Sequence, residues 1–113
     1  MTNNKDCTKY LSERQEQYIA RAVDGRRTPM SGAGKFILGD VLTARYLIEA
    51  KTQMQEKKTF TIKREWLDKA REEAFATHKD SYALAFNFGG EAEQQNNYYV
   101  ITEEDFKRLV NID

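Results

Sequence analysis

Gly39-Asp40-Val41-Leu42-Thr43-Ala44-Arg45-Tyr46-Leu47-Ile48-Glu49-Ala50-Lys51 is the stretch whose reading decides the fold. Two short apolar runs, Gly39 to Leu42 and Tyr46 to Ala50, flank Thr43, Ala44 and Arg45, the pattern of two antiparallel strands joined by a tight turn. Side chains alternate across a strand, so Glu49 and Lys51 share one face while Ile48 and Ala50 share the other. Pairing with the preceding strand brings Asp40 beside them, and two carboxylates and an ammonium then meet at one sheet edge. The plain alternative is a surface ion pair of Glu49 with Lys51 or Arg45. Glu-x-Lys alone is a weak signal; an aspartate upstream, with a hairpin between, strengthens it.

The chain of 113 residues, 40% hydrophobic and 32% charged, has the length and composition of one ordinary globular domain over residues 1–113. No apolar run approaches the ~20 residues that span a bilayer, and the polar start lacks the apolar core of a secretory signal. The expectation is a cytoplasmic protein without a membrane partner. Cys7 alone forms no internal disulfide, and with the single histidine, His78, it offers no zinc set. The net charge is zero but unevenly spread. Residues 1–64 hold 13 Lys and Arg against 7 Asp and Glu, and residues 65–113 hold 5 against 11. Local fields steer binding, so a polyanion is drawn to the first half, although chance fluctuation gives such asymmetry too.

Outward from the hairpin, residues 1–10 read as a polar, frayed tail. Ser12 and Gln15 have the spacing of a capping box, opening a helix over about Glu13 to Val23. Gln15, Glu16, Ile19, Ala22 and Val23 fall on one stripe. Glu16 at its edge is either a solvated neighbour of the core or a group aimed into a site. Asp24-Gly25 ends the helix with a left-handed glycine. Arg26 to Lys35 is a loop with three basic residues and two glycines; it is not a Walker loop, and both a phosphate-approaching backbone and a plain turn fit it. After Lys51, Thr59 to Ile62 reads as a short extended piece. A second helix runs from about Lys63 to Thr77, with Trp66, Leu67, Ala70, Ala74 and Phe75 as its packed face and Glu65, Asp68, Arg71 and Glu72 solvated. His78 sits at its C-terminal end, where the macrodipole favours it. Tyr82 to Phe88 alternates as a central strand, Tyr98 to Ile101 is a last strand, and Thr102 opens a helix carrying Phe106, Leu109 and Val110. The fold class expected is α/β or α+β, a mixed β-sheet flanked by helices.

Hard divalent cations take oxygen ligands, and two carboxylates on adjacent strands form a minimal platform for one. Asp40 and Glu49 supply them, the Ala50 carbonyl offers a third oxygen, and Lys51 presents a point charge to a phosphate or to an attacking water. Such a constellation suits phosphodiester hydrolysis.

Gly-Asp, eight residues, then Glu-Ala-Lys, preceded by Ser31-Gly32-Ala33 and by a helix carrying Glu16, resembles the PD-(D/E)xK nuclease superfamily, and within it the archaeal-type and phage Holliday junction resolvases. The likeness runs from about Glu13 through Phe88. It departs at Gly39, where the family's pattern has proline, and at Pro29, which makes the first strand short or irregular. The resemblance implies a restriction-endonuclease-like fold and a homodimeric, structure-selective endonuclease of DNA recombination and repair, cutting branched DNA with magnesium or manganese. It implies a bacterial, archaeal or phage-infected host cell as the setting. Carried onto this chain, the catalytic set is Glu16, Asp40, Glu49 and Lys51 with Ser31 in the neighbouring loop; Glu13 is the other candidate for the helical carboxylate. The metal set is Asp40, Glu49, Ala50 and Glu16. Arg21, Arg26, Arg27, Ser31, Lys35, Arg45, Lys57 and Lys58 are the candidates for DNA contact by shape. Another nuclease of the superfamily, acting on flaps, nicks or duplex, is the alternative, and a non-catalytic DNA- or protein-binding module is a third reading. The dimer contact falls to the Tyr82 strand or the last helix.

Overall fold

The computed structural model describes residues 4–28, 39–90 and 96–111, with side chains from Tyr10 onward. The order of elements is α1 (Asn4–Ala22), β1 (Arg26–Arg27), β2 (Val41–Leu42), β3 (Tyr46–Lys51), α2 (Arg64–Ala76), β4 (Ser81–Phe86), β5 (Tyr98–Val100) and α3 (Glu103–Val110). The strands form one five-stranded sheet in sequence order. β1, β2 and β3 are an antiparallel meander, β4 lies parallel to β3, and β5 returns antiparallel to β4. The chain is therefore a mixed α+β fold, with α2 as the crossover that a parallel β3–β4 pair requires.

The two sheet faces bury different residues. Ile48, Ala83 and Ala85 pack with Val41 beneath Ile19 of α1; Leu47 packs with Ala70 and Ala74 of α2. Leu47 and Leu84 are fully buried, each contributing about 1.5–3 kcal/mol. The hairpin forms as its sequence predicts. Val41 faces Ile48, Leu42 faces Leu47, and Thr43 Oγ1 accepts the Arg45 and Tyr46 N–H groups in the turn.

Several expectations are corrected. Helix α1 starts by Asn4, not Glu13, because no glycine or proline interrupts residues 4–22. Ser12 is thus inside the helix and caps nothing; its hydroxyl pairs with that of Thr52 at 3.2 Å. Ala22, expected on the buried stripe, is exposed. The left-handed residue after α1 is Asp24 (φ 54°), with Gly25 N–H donating back to the Ala20 carbonyl at 2.8 Å, a Schellman arrangement. Gly25 is required for space: a Cβ there would lie 2.8 Å from the Leu42 carbonyl oxygen. His78 (φ 59°) plays the same left-handed part after α2, where Lys79 N–H reaches the Ala74 carbonyl.

Thr59 to Ile62 is no strand. Phe60 is held instead by its ring, stacked 4.6 Å from Phe86, and the chain just before the segment is tied where Lys57 N–H donates to the Phe88 carbonyl. β4 stops at Phe86 because the buried Asn87 turns inward, accepting Gly89 N–H and donating to Asn97. Phe75 is 85% exposed; it lies outside the packed stripe of Trp66, Ala70 and Ala74. Phe106, Leu109 and Val110 are likewise exposed, although α3 is anchored by Thr102, whose side chain accepts Asp105 N–H, and by the buried Asp105, which accepts from Ser81 Oγ and pairs with Arg108. No described helix is long and apolar enough to cross a membrane.

Candidate functional site

The site lies where the β2–β3 hairpin meets α1 and α2. Gly39 enters it in a left-handed conformation (φ 77°) with its N–H donating to Glu73 Oε1. A Cβ at this position would fall 2.6 Å from Leu47 Cγ, so the residue before Asp40 has no room for a side chain. Asp40 N–H donates to the Ile48 carbonyl at 3.0 Å, although Val41 already faces Ile48. Two residues of one strand thus oppose one of the other, the arrangement by which a bulge re-aims a side chain. Asp40 Oδ2 accepts Ala50 N–H at 2.7 Å, fixing the carboxylate at the end of β3.

Two buried carboxyls border Asp40. Glu49 on β3 is 9% exposed and Glu16 on α1 is 4% exposed. Burial first, and the charge of Asp40 second, pushes each up to about 7. Their partners differ. Glu16 Oε1 takes Arg27 Nε at 3.4 Å, whereas Glu49 Oε2 is buried with no hydrogen-bond partner among the described residues. A carboxylate so placed is costly unless a cation reaches it.

Lys51 shares the Glu49 face, as alternation predicts, and its charge favours the Glu49 carboxylate. Its ammonium is drawn to α2, 4.5 Å from the centroid of the Trp66 ring. Its backbone carbonyl accepts from Gln15 Nε2 at 2.9 Å. Gln15 is fully buried; it also donates to Asn97 Oδ1 and accepts from Thr52 Oγ1. Because Gln15 precedes Glu16, this network fixes α1 against the end of β3 and sets where Glu16 stands.

Asp40, Glu49 and Lys51 are therefore brought together, and Glu16 lies across Asp40 from Glu49, bound to Arg27. Among the described residues no three His, Cys, Asp or Glu side chains are placed to hold one ion. The expected metal set of Asp40, Glu49 and Glu16 is therefore not assembled as one cluster; Asp40's charge acts on Glu16 and on Glu49 separately. Ser31 and Lys35 lie outside the described residues. The remaining basic candidates divide. Arg27 borders the site, and Lys57 and Lys58 are exposed on the segment after Lys51. Arg26 shares a cleft with Thr43 and Ala44 at the hairpin turn, and Arg45 in that turn pairs with Asp80 at 2.9 Å. Arg21 is exposed in the last turn of α1. These last three stand toward the opposite end of β3 from Lys51.

Two site neighbours escape sequence reasoning. Lys69 and Glu73 pair at 3.7 Å on α2, and both charges act on Glu49. The signal was present: positions 66, 69, 70, 73 and 74 form one helical stripe, so a charged pair on it belongs against the sheet. Gln15 and Asn97 meet across 82 positions, a separation that no local pattern encodes. No family model, curated protein or solved structure matches this chain.

Proposed function

We propose that this chain is a divalent-metal-dependent DNA endonuclease of the PD-(D/E)xK type, acting on branched DNA. The observation that carries the reading is the Glu49 carboxyl, buried beside Asp40 with Oε2 unpartnered among the described residues. Such a pair fits a hard cation with oxygen preference, magnesium or manganese, held by Asp40, Glu49 and the Ala50 carbonyl. When bound, the ion supplies Lewis-acid polarisation of a phosphodiester and a nucleophilic water at neutral pH.

The protein's own groups do the rest. Asp40 is oriented by the Ala50 N–H, which its Oδ2 accepts at 2.7 Å. Lys51, on the Glu49 face, can leave the indole to meet a non-bridging phosphate oxygen, placing positive charge where negative charge develops. Glu16, kept at the edge by Arg27, has a carboxyl near neutrality, suited to holding or passing a proton from water. Arg27, Lys57 and Lys63 stand on the side of the site and offer contacts to the DNA backbone there.

A four-way junction has two-fold symmetry and is met best by a two-fold enzyme. β4 is paired on both sides and its Tyr82 packs toward α2, so of the two candidate dimer surfaces α3, with Phe106, Leu109 and Val110 exposed, is the one we favour. The setting proposed is the cytoplasm of a bacterial, archaeal or phage-infected cell. The test is cleavage of labelled four-way junction, flap and linear duplex, with magnesium and with chelator. Paired symmetric nicks in the junction alone support resolution, cutting of all three supports a general nuclease, and binding without metal-dependent cutting refutes both.

A further inference from the structure

Beside the site, between the end of β3, the segment after it and the first turn of α2, is a cleft of about 320 Å³. Lys51, Lys57 and Lys63 line it together with Phe60 and Trp66, and among the described residues no aspartate or glutamate does. Two of the ammoniums already crowd one indole, Lys51 Nζ at 4.5 Å and Lys63 Nζ at 5.7 Å from the Trp66 ring centroid. Trp66 and Phe60 are half-buried, 6.2 Å apart, and Phe60 is braced from behind by its stack on Phe86. The rings are thus a supported surface open on one side. The ammoniums of Lys51, Lys57 and Lys63 thus share one cleft, and Glu49 on the same face of β3 is the carboxylate on which Lys51 acts.

The chemistry that satisfies both halves is a flat π-system carrying phosphate. Phosphates neutralise the lysines, and a base takes the place beside the indole that the ammoniums now hold. Duplex DNA keeps its base faces stacked inside the helix; only an unpaired nucleotide presents one. We propose that this cleft binds one unpaired nucleotide of DNA, its base against Trp66 and its flanking phosphates on Lys57 and Lys63. The placement of that nucleotide next to a scissile phosphate at Lys51 rests on the nuclease reading; the binding itself does not. In a branched substrate the nucleotide comes from the branch point, where stacking between arms is interrupted and a base is unpaired at least cost, which gives the site a means of choosing branches over plain duplex.

Trp66 is the only tryptophan in the chain, so its emission reports on this cleft alone. The experiment titrates the protein with an oligothymidylate in the presence of chelator, so that no cleavage occurs, following tryptophan fluorescence and the anisotropy of a labelled oligomer. The expected result is quenching by the single strand and none by a duplex of equal length. An abasic oligomer of the same length binds roughly 5- to 150-fold more weakly, the loss of one stacked base, and does not quench. The double variant Lys57→Gln/Lys63→Gln alters two exposed side chains and leaves the fold intact. It flattens the slope of log affinity against log salt by about 1.4, two phosphate contacts on a single strand. Quenching by duplex equal to that by single strand, an abasic oligomer binding as tightly as the normal one, or an unchanged salt slope in the double variant overturns the proposal. So does an oligomer that leaves the emission unmoved. Junction cleavage surviving any of these results fails the cleft alone; quenching without cleavage in magnesium fails the nuclease reading alone.

Discussion

Replacing Glu49 with glutamine isolates the charge on which the site's chemistry turns. Glu49 and Glu16 each have a folded-state value raised from 4.5 to about 7. A carboxyl raised on folding binds more protons in the native than in the unfolded state between those values, so stability falls as pH rises from about 4.5 to about 7. At about 1.4 kcal/mol per pH unit, each carboxyl accounts for a fall of roughly 2–3 kcal/mol between pH 5 and pH 8. The two share Asp40 as a cause, so the combined fall is less than their sum. Urea denaturation followed by circular dichroism, in chelator, should show the wild type losing stability over that range. Glu49→Gln, which keeps the shape and removes the charge, should lose less by about the Glu49 share. Magnesium should restore the wild type at pH 8 and do little at pH 5, where protons hold the carboxyls. It should do little to Glu49→Gln at either pH. A wild type as stable at pH 8 as at pH 5, or a magnesium response of equal size in Glu49→Gln, refutes the reasoning.

Four other outcomes follow from the packing. Arg27→Met leaves Glu16 buried without its cation, and should cost about 3 kcal/mol at pH 8 but much less at pH 5, where Glu16 is protonated, as read from paired urea curves. Gln15→Leu takes the side-chain donor from the Lys51 carbonyl and one hydrogen bond each from Asn97 and Thr52; a loss of about 3 kcal/mol is expected, and a midpoint within error of wild type would contradict it. Gly39→Ala meets both a left-handed backbone and the Leu47 side chain, whereas Gly90→Ala (φ 80°) has its nearest neighbour at 3.4 Å. Thermal unfolding should therefore show Gly39→Ala losing about 3 kcal/mol and Gly90→Ala about 1. Phe75→Ser should stay within about 0.5 kcal/mol of wild type, its ring being almost wholly exposed.

What the sequence made legible was what short-range periodicity controls. The β2–β3 hairpin follows from two apolar runs around Thr43-Ala44-Arg45, and its alternation places Glu49 and Lys51 on one face. The spans of α2 and α3 follow from apolar spacing and, for α3, from the Thr102 cap. The start of α1 was hidden because polar residues without glycine or proline extend a helix without leaving an apolar signature. The exposed faces of Phe75 and of Phe106, Leu109 and Val110 were misleading for the opposite reason, since helical spacing of apolar residues does not say whether a partner element covers them. At the site, Asp40 and Glu49 were legible through the hairpin. That Glu16 binds Arg27, that Lys51 leans on Trp66, and that Gln15 clasps the end of β3 depend on tertiary approach between distant segments. Arg45 illustrates the same limit: its charge is plain in sequence, yet its partner Asp80 is 35 positions away.

Asp40 and Glu49 are proposed as a metal-dependent centre for DNA hydrolysis. The most direct measurement is the single-turnover rate of four-way junction cleavage in magnesium for wild type, Asp40→Asn and Glu49→Gln, each shown to be folded. Removing a group that stabilises the transition state typically costs about 100-fold or more, so both variants should fall at least that far while still binding the junction. Rates in the variants equal to wild type, or cleavage that persists in chelator, would contradict the account.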